Sequence, residues 1–408
     1  MKSTILLACL FSMPLMTAAQ SLTECIAFAK QHSLRIKAAD LQQQRAQRNE
    51  GSYFELDKTE LTLSQDPTSG GSPDNALTLS QNIDFPTVYT NRRMLLKAAT
   101  AVETARTRLT ENELVKEVSE VYTGLLLHRH EAELYKRNDS ILAEFVRTAK
   151  IRFANGETNR LEVMNAEQLY AENQLRLQSA LNDVQAQSDM LQAIMNADFA
   201  VTPTDHYIPS SLQGEDLPGQ GYAYAITPQG ELLNAERHLA ERELRLTRQG
   251  YMPSFNVGMR HQCVIPGLNP YDVDRSRFDG GNWMGFEFGV AFPLFFGSQK
   301  ARTAVARFDV EVANARLEEE ANRAEVGYRA AYAKMVNAFN SCQQWMNHSV
   351  PNAQEIRRLS LVEYQAGEIT YVEHIQNLNA ALETELSAAQ AMDELNKAII
   401  NINFITGK

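Results

Sequence analysis

Cysteine is scarce in this chain, four in 408 residues. Cys9, Cys25, Cys263 and Cys342 show no spacing that would build a disulfide framework or a zinc site. Glycine (20) and proline (13) are also few, and cluster between long stretches rich in Ala, Glu, Gln, Leu and Arg. Such a composition favours long helices over two independent globules. Basic residues do not predominate: 39 Lys and Arg against 50 Asp and Glu leave a net charge of −11, which argues against nucleic-acid binding, where a basic face is needed. Beyond the N-terminal segment, no stretch approaches the roughly 18 consecutive apolar residues of a spanning helix. Any part that enters a membrane must therefore do so as strands. Catalytic signatures are missing too: there is no Gly-rich phosphate loop, no H-E-x-x-H and no Gly-x-Ser-x-Gly. His128 and His130 of "HRH" form an isolated pair whose placement on one helix splays the rings apart. No catalytic role, cofactor or metal is expected.

What is present begins with "MKSTILLACLFSMPLMTAAQ". A lysine, an apolar stretch and Thr17-Ala18-Ala19 before Gln20 fit a secretory signal cleaved after Ala19. "LLAC" at Leu6–Cys9 imitates a lipoprotein box, but a hydrophobic segment ending at Cys9 is too short for one. The chain is expected to be exported without a lipid.

Helical patterns occupy roughly 22–50, 90–154, 158–197, 229–250, 298–347, 352–366 and 370–404. At ~1.5 Å per residue the second would be on the order of 100 Å long, beyond an ordinary globular domain. Four short segments alternate instead. Leu77, Leu79, Ile83 and Phe85 share one face, with Thr78, Ser80, Asn82 and Asp84 on the other. Phe286, Phe288, Val290 and Phe292 stand opposite Glu287, Gly289 and Ala291, and Leu61, Leu63, Phe255, Val257 and Met259 alternate likewise. Period-2 alternation over about ten residues marks a barrel strand, apolar side out. The strands are expected to form two hairpins across the polar turns 66–75 and 266–282. A small soluble sheet packed on a helix bundle would alternate similarly; export and outward Phe and Leu favour lipid.

The chain repeats itself. "RFANGETNRLEV" (Arg152–Val163) and "EYQAGEITYVEH" (Glu363–His374) match Phe153 with Tyr364, Gly156 with Gly367, Glu157 with Glu368 and Glu162 with Glu373, at 367 − 156 = 211. "FPTVYTNRR" from Phe85 matches "FPLFFGSQK" from Phe292 at offset 207. The division is a signal over 1–19, a first repeat over 20–202 (strands about 59–85, tip about 153–162), a linker over 203–228 and a second repeat over 229–408 (strands about 254–293, tip about 364–373). Gly156 and Gly367 suit the left-handed residue that stops a helix. Asn159-x-x-Glu162 and Thr370-x-x-Glu373 are capping-box patterns that start the next one. Each stretch thus reads as the tip of a helical hairpin, in which Glu162 and Glu373 have a capping role available.

Four strands cannot close a barrel, and an open edge in hydrocarbon leaves backbone groups unpaired at several kcal/mol each. A membrane reading therefore demands identical partners, eight strands from two chains or twelve from three.

Taken together, these residues resemble the TolC-like outer-membrane efflux factors over essentially the whole exported chain. The resemblance implies a mainly α chain with a membrane β-barrel: internally duplicated long-helix hairpins plus four strands, three chains building a 12-stranded barrel continued by an α-helical tunnel. It further implies a homotrimer in the cell outer membrane, its tunnel in the periplasm, working with a periplasmic adaptor protein and an inner-membrane pump. The family's tip motif is met by Phe153, Gly156 and Glu162 and by Tyr364, Gly367 and Glu373. By that likeness, Glu373, Gln376, Glu162 and Tyr364 belong to a periplasmic gate, with Glu373 in a carboxylate ring. Phe153, Gly156, Glu157, Gly367 and Glu368 belong to adaptor-docking tips. Leu77, Leu79, Phe286, Phe288, Val290 and Phe292 face outer-membrane lipid. A second acid, usual in some members, is replaced by Gln376, and a latching arginine by Ile369. His374 beside the ring is expected to be solvated. "PLFFGSQKAR" (Pro293–Arg302) looks most like members that serve heavy-metal pumps of the resistance-nodulation-division type. The competing functions are a secreted soluble coiled-coil scaffold and a duct for peptide or protein secretion.

Overall fold

Helix starts and stops in this chain are written in its caps. The computed structural model describes residues 19–67, 73–205, 222–263 and 283–408. The expected signal through Ala18, Cys9, most of the linker and the centres of both strand turns lie outside these residues.

The chain divides into two units, each assembled from segments distant in sequence. One contains residues 38–109 and 223–324 and holds a four-stranded antiparallel sheet. Its strands are β2 (Glu60–Pro67), β3 (Pro73–Asp84), β5 (Ser254–Cys263) and β6 (Trp283–Ala291), in spatial order β2-β3-β5-β6. Both expected hairpins are present, and they join through β3 and β5 into one sheet. The first hairpin pairs as far as Pro67 with Pro73, so Asp66 and Asp74, expected in the turn, belong to the ladder. Polar composition alone gave no sign of where pairing stops, because backbone hydrogen bonds do not depend on side-chain polarity. Helix α5 (Pro228–Arg248) packs Leu232 on Val102 and Ala105; its Thr227 cap accepts from Gly230 N and Pro228 occupies the first turn.

The other unit contains residues 19–37, 110–205, Tyr222 and 325–408 of the described chain. Helix α1 (Leu22–His32) opens on a complete Ser21–Glu24 capping box. The helix expected over 22–50 is broken: Ser33 is extended at ψ 127°, and α2 (Leu34–Asn49) follows. Two-residue strands β1 (Ala19–Gln20) and β4 (Thr202–Pro203) pair in parallel, a contact too short for any periodicity to announce.

Helix α3 (Pro86–Ala154) runs 69 residues, and α4 (Arg160–Met195) returns from it. Cys25, Leu114, Val118, Tyr122, Leu125, Leu191 and Met195 form one core here. In the second half, α6 (Gly297–Gln344) passes through a π-helical turn at Trp345–Ser349 into α7 (Val350–Ala366), and α8 (Tyr371–Thr406) returns. The break expected near 347–352 is thus a widened turn just ahead of Pro351, whose missing N–H cannot feed an α-helical bond. Tyr328, Met335, Cys342, Met392 and Leu395 pack beneath it.

The repeat keeps one offset at the starts of its long helices and another at its strand ends. The strand ends Asp84 and Ala291 are 291 − 84 = 207 apart, whereas the helix starts Pro86 and Gly297 are 297 − 86 = 211 apart. Pro86 begins its helix at once, but Pro293 is followed by irregular chain as far as Phe296. The Phe-Pro likeness at offset 207 therefore aligns a helix start with an inserted segment.

Candidate functional site

The two hairpin tips meet within one unit. Gly156 and Gly367 take φ values of 77° and 76°. Around each, the same pair of hydrogen bonds closes the helix: Gly156 N to Phe153 O (3.0 Å) with Glu157 N to Arg152 O (2.9 Å), and Gly367 N to Tyr364 O (3.1 Å) with Glu368 N to Glu363 O (2.9 Å). This is the Schellman arrangement, and it uses glycine because a Cβ disfavours the left-handed region. Three residues later Asn159 and Thr370 cap the returning helices.

The capping glutamates then diverge. Glu373 completes its box: its Oε2 accepts from Thr370 N (2.7 Å) and Thr370 Oγ1 (2.8 Å). Those bonds, the backbone one first, hold its carboxyl below the usual carboxylate range. Glu162 does not reach back to Asn159 N. It accepts from Thr158 Oγ1 and from Arg152 Nη1 (3.3 Å). Arg152 also donates to the Tyr364 hydroxyl (3.0 Å) and lies 3.8 Å from Glu157. One guanidinium thereby joins Glu162 of the first tip to Tyr364 of the second.

Arg152 was not singled out from the sequence, although it is the first residue of the repeated stretch. The signal was available in the comparison of halves, which sets Arg152 against Glu363.

His374 corrects the sequence reading. It is buried, with 2% of its surface exposed. Its ring lies parallel to Tyr364 at 4.8 Å, and its Nδ1 is 2.8 Å from Ser360 Oγ. Burial lowers its pKa below the ordinary value. The position falls on the inward stripe of α8 with Ile375, Leu378 and Leu382, which overrides the polarity of imidazole. Phe145 stacks on Tyr371 at 4.6 Å and, with Leu142, Ala149 and Ala166, closes the core under both tips. Phe153, the repeat partner of Tyr364, is exposed instead, as are Glu157, Glu368 and Gln376. Between the tips lies an open groove of about 780 Å³, lined by Arg152, Glu162, Tyr364, Ile369, Thr370 and Tyr371 among others. Among the described residues no cluster could hold a metal ion.

The sheet is the second candidate surface. Its register puts Leu63, Leu77 and His261 in one cross-strand row with Met284, and Leu61, Leu79, Met259 and Phe286 in another. Val257 with Phe288 and Phe255 with Val290 continue the same face. The opposite face carries Thr78, Ser80, Asn82, Asn256, Gly258 and Glu287. Asn256 Nδ2 donates to Asn82 Oδ1 at 2.8 Å, and the Glu287 side chain lies over Gly258. All six sequence-selected apolar residues are exposed in the chain, from Leu77 at 38% to Phe286 at 86%. Among the described residues, strands β2 and β6 each pair on one side only.

No protein-family model matches the chain, and neither does any curated protein sequence. Solved structures do. The chain is similar to the Campylobacter jejuni CmeC outer membrane channel at a TM-score of 0.78 and 13% identity, covering 95% of this chain and 85% of that one. It is similar to the outer membrane protein VceC of Vibrio cholerae at 0.74 and 15% identity, covering 95% and 96%. The open state of the Neisseria gonorrhoeae MtrE outer membrane channel follows at 0.73 and 14%, covering 95% and 88%. At such identities the likeness establishes the fold: long helices plus a four-stranded sheet, as the sequence led one to expect.

Proposed function

With the fold of TolC-type outer-membrane channels as premise, we propose that this chain is the exit duct of a tripartite efflux system. It conducts substrates passively from an inner-membrane pump and periplasmic adaptor to the exterior. The observation that supports this most is the sheet: one apolar exposed face, one polar face, and two strands with a free edge. In lipid such edges must be paired, and three copies pairing β2 with a neighbour's β6 close twelve strands around the polar face. In this reading the N-terminal signal exports the chain across the inner membrane, and pairing of strands between copies seats it in the outer one.

The helical tips form the periplasmic gate and the adaptor-docking surface in this reading. Arg152 supplies the cross-tip bond that Ile369 cannot. Three copies of Glu373 form a carboxylate ring; like charges there oppose the lowering that Thr370 produces, and the ring titrates in coupled steps. Heavy-metal ions are the first cargo to test, on the likeness of Pro293–Arg302.

The deciding experiment is fractionation followed by planar-bilayer recording. The proposal requires a heat-modifiable oligomer in the outer membrane whose cation current is blocked by millimolar divalent cation and freed of that block by Glu373→Gln. Recovery in soluble periplasm would overturn the duct. Unaltered block in the variant would leave Glu373 as a helix cap alone.

A further inference from the structure

Strands that close a barrel with copies of themselves must meet in one register, and this sheet restricts which. Its cross-strand rows are unbroken: Glu60, Ser80, Gly258 and Glu287 form one, and Leu61, Leu79, Met259 and Phe286 the next. Continued beyond β6, the first row arrives at β2 of a neighbouring copy, at Glu60 or at a residue displaced from it along the strand. Zero displacement would set the strands parallel to the barrel axis, whereas barrel strands tilt by about 35–45°.

Geometry and charge narrow the displacement. It is even, because an odd value would turn the apolar face of one copy against the polar face of the next. With strands about 4.8 Å apart and a rise of about 3.4 Å per residue, displacements of two, four and six residues per copy give tilts of about 20°, 35° and 47°. Two is too shallow. Six sets Glu287 opposite Asp66, and like charges directly opposite are destabilising; four sets it opposite Ser64. Strand length agrees. At a displacement of four, the 8 residues of β2, Glu60 to Pro67, face Ala291 back to Met284 of β6, so both strands are paired almost end to end. The same displacement in the opposite sense leaves only Trp283 opposite Glu60.

We infer that β6 of one copy pairs antiparallel with β2 of the next in the register that sets Glu287 opposite Ser64, Phe288 opposite Leu63 and Val290 opposite Leu61 of that neighbour. This rests on the reading of the sheet as one third of a membrane barrel, and specifies how the thirds join. The apolar rows then continue across the seam, and on the polar face Glu287 meets a hydroxyl able to donate to it. Glu287 is the residue that fixes the register, since sliding β2 by two residues toward a steeper tilt brings Asp66 against it.

The test uses the full exported chain with Cys263→Ser, Cys25 and Cys342 being buried and free. Paired cysteines are oxidised in isolated outer membranes with copper phenanthroline and read on non-reducing denaturing gels. Ser64→Cys with Glu287→Cys should give about tenfold more covalent trimer than Ser64→Cys with Gly285→Cys or with Gly289→Cys. In those two controls the Cα atoms would be about 8 Å apart, beyond the roughly 7 Å that a disulfide spans. Within one copy the paired positions lie on the two outer strands, about 14 Å apart across the sheet, so a bond reports the seam alone. A second measurement needs no cysteine: Ser64→Glu should lower the temperature at which the oligomer dissociates, Ser64→Lys should raise it, and Glu287→Gln should remove both shifts. Preferred bonding of either control pair overturns the register and leaves the barrel standing. So do shifts that survive Glu287→Gln, or no covalent trimer from any pair while the heat-modifiable oligomer persists. Absence of any oligomer from the outer membrane in the parent chain overturns the barrel reading and the register with it.

Discussion

Arg152 Nη1 and the Tyr364 hydroxyl, 3.0 Å apart and 212 residues apart in sequence, form a bond between the tips of two hairpins. Arg152 also serves Glu162, so its loss leaves a carboxylate only 14% exposed without its cation. A charge-assisted bond contributes about 1.5–3 kcal/mol when well shielded, and partial exposure of Arg152 reduces this to about 1 kcal/mol. A double-mutant cycle of Arg152→Gln and Tyr364→Phe, read by thermal unfolding, should show that coupling. Tyr364→Phe keeps the stack on His374, so additive effects would mean the bond is not formed in solution.

The glycine at each tip can be tested by a graded series. No atom lies within 4 Å of a Cβ built on Gly367, so any loss on substitution comes from its φ of 76° and not from crowding. The left-handed region costs L-residues roughly 1–2 kcal/mol, least for asparagine and most for β-branched side chains. Gly367→Asn should keep oligomer and efflux, whereas Gly367→Val should keep the oligomer and lose efflux. Full resistance in cells carrying Gly367→Val would count against docking at the tip.

How much of this was legible in the sequence depends on the kind of force involved. The tip glycines, the cap residues Asn159 and Thr370 and the alternating strands are local, each following from residues within one turn or one strand; the exceptions are Glu162, which turns to Arg152 and Thr158 and leaves its capping box incomplete, and Asp66 and Asp74, which extend the ladder into the expected turn. The bond of Arg152 is set by a neighbour 212 residues away, and no local pattern carries it; the burial of His374 against Ser360 and Tyr364 was legible in the apolar stripe of α8, which the polarity of imidazole obscured. The four-residue displacement between halves lay between. Both offsets, 207 and 211, could be read from the motifs, but whether Pro86 and Pro293 both start helices is settled by backbone geometry.

His374 gives the tips a dependence on pH. Burial depresses its folded pKa below the ordinary 6.5, so the unfolded chain takes up the proton more readily than the folded one. Stability of the tip is therefore complete above pH 6.5 and declines as pH falls below it. Hydrogen-exchange protection over 360–378, corrected for the intrinsic pH dependence of amide exchange, should fall between pH 6.5 and 5, and His374→Phe, which keeps a ring against Tyr364, should flatten the profile. An unchanged profile in that variant would assign the effect to other groups.

The last prediction separates the two faces of the sheet with adjacent residues on one strand. Phe288 pairs with Val257 on the apolar face, and Glu287 pairs with Gly258 on the polar one. If the apolar face meets lipid, Phe288→Arg places a cation in hydrocarbon at a cost of about 2–4 kcal/mol near the midplane. Glu287→Arg moves a charge within the polar face, where water and neighbouring polar groups solvate it, and the diagonal Arg260 adds only a modest like-charge cost. Recovery of oligomer from the membrane should therefore fall sharply for Phe288→Arg and hold for Glu287→Arg, while single-channel conductance and ion selectivity change for Glu287→Arg. Equal losses of oligomer would contradict the assignment of faces. Retention of oligomer by Phe288→Arg with altered conductance would reverse it, putting the aromatic side chains in the lumen.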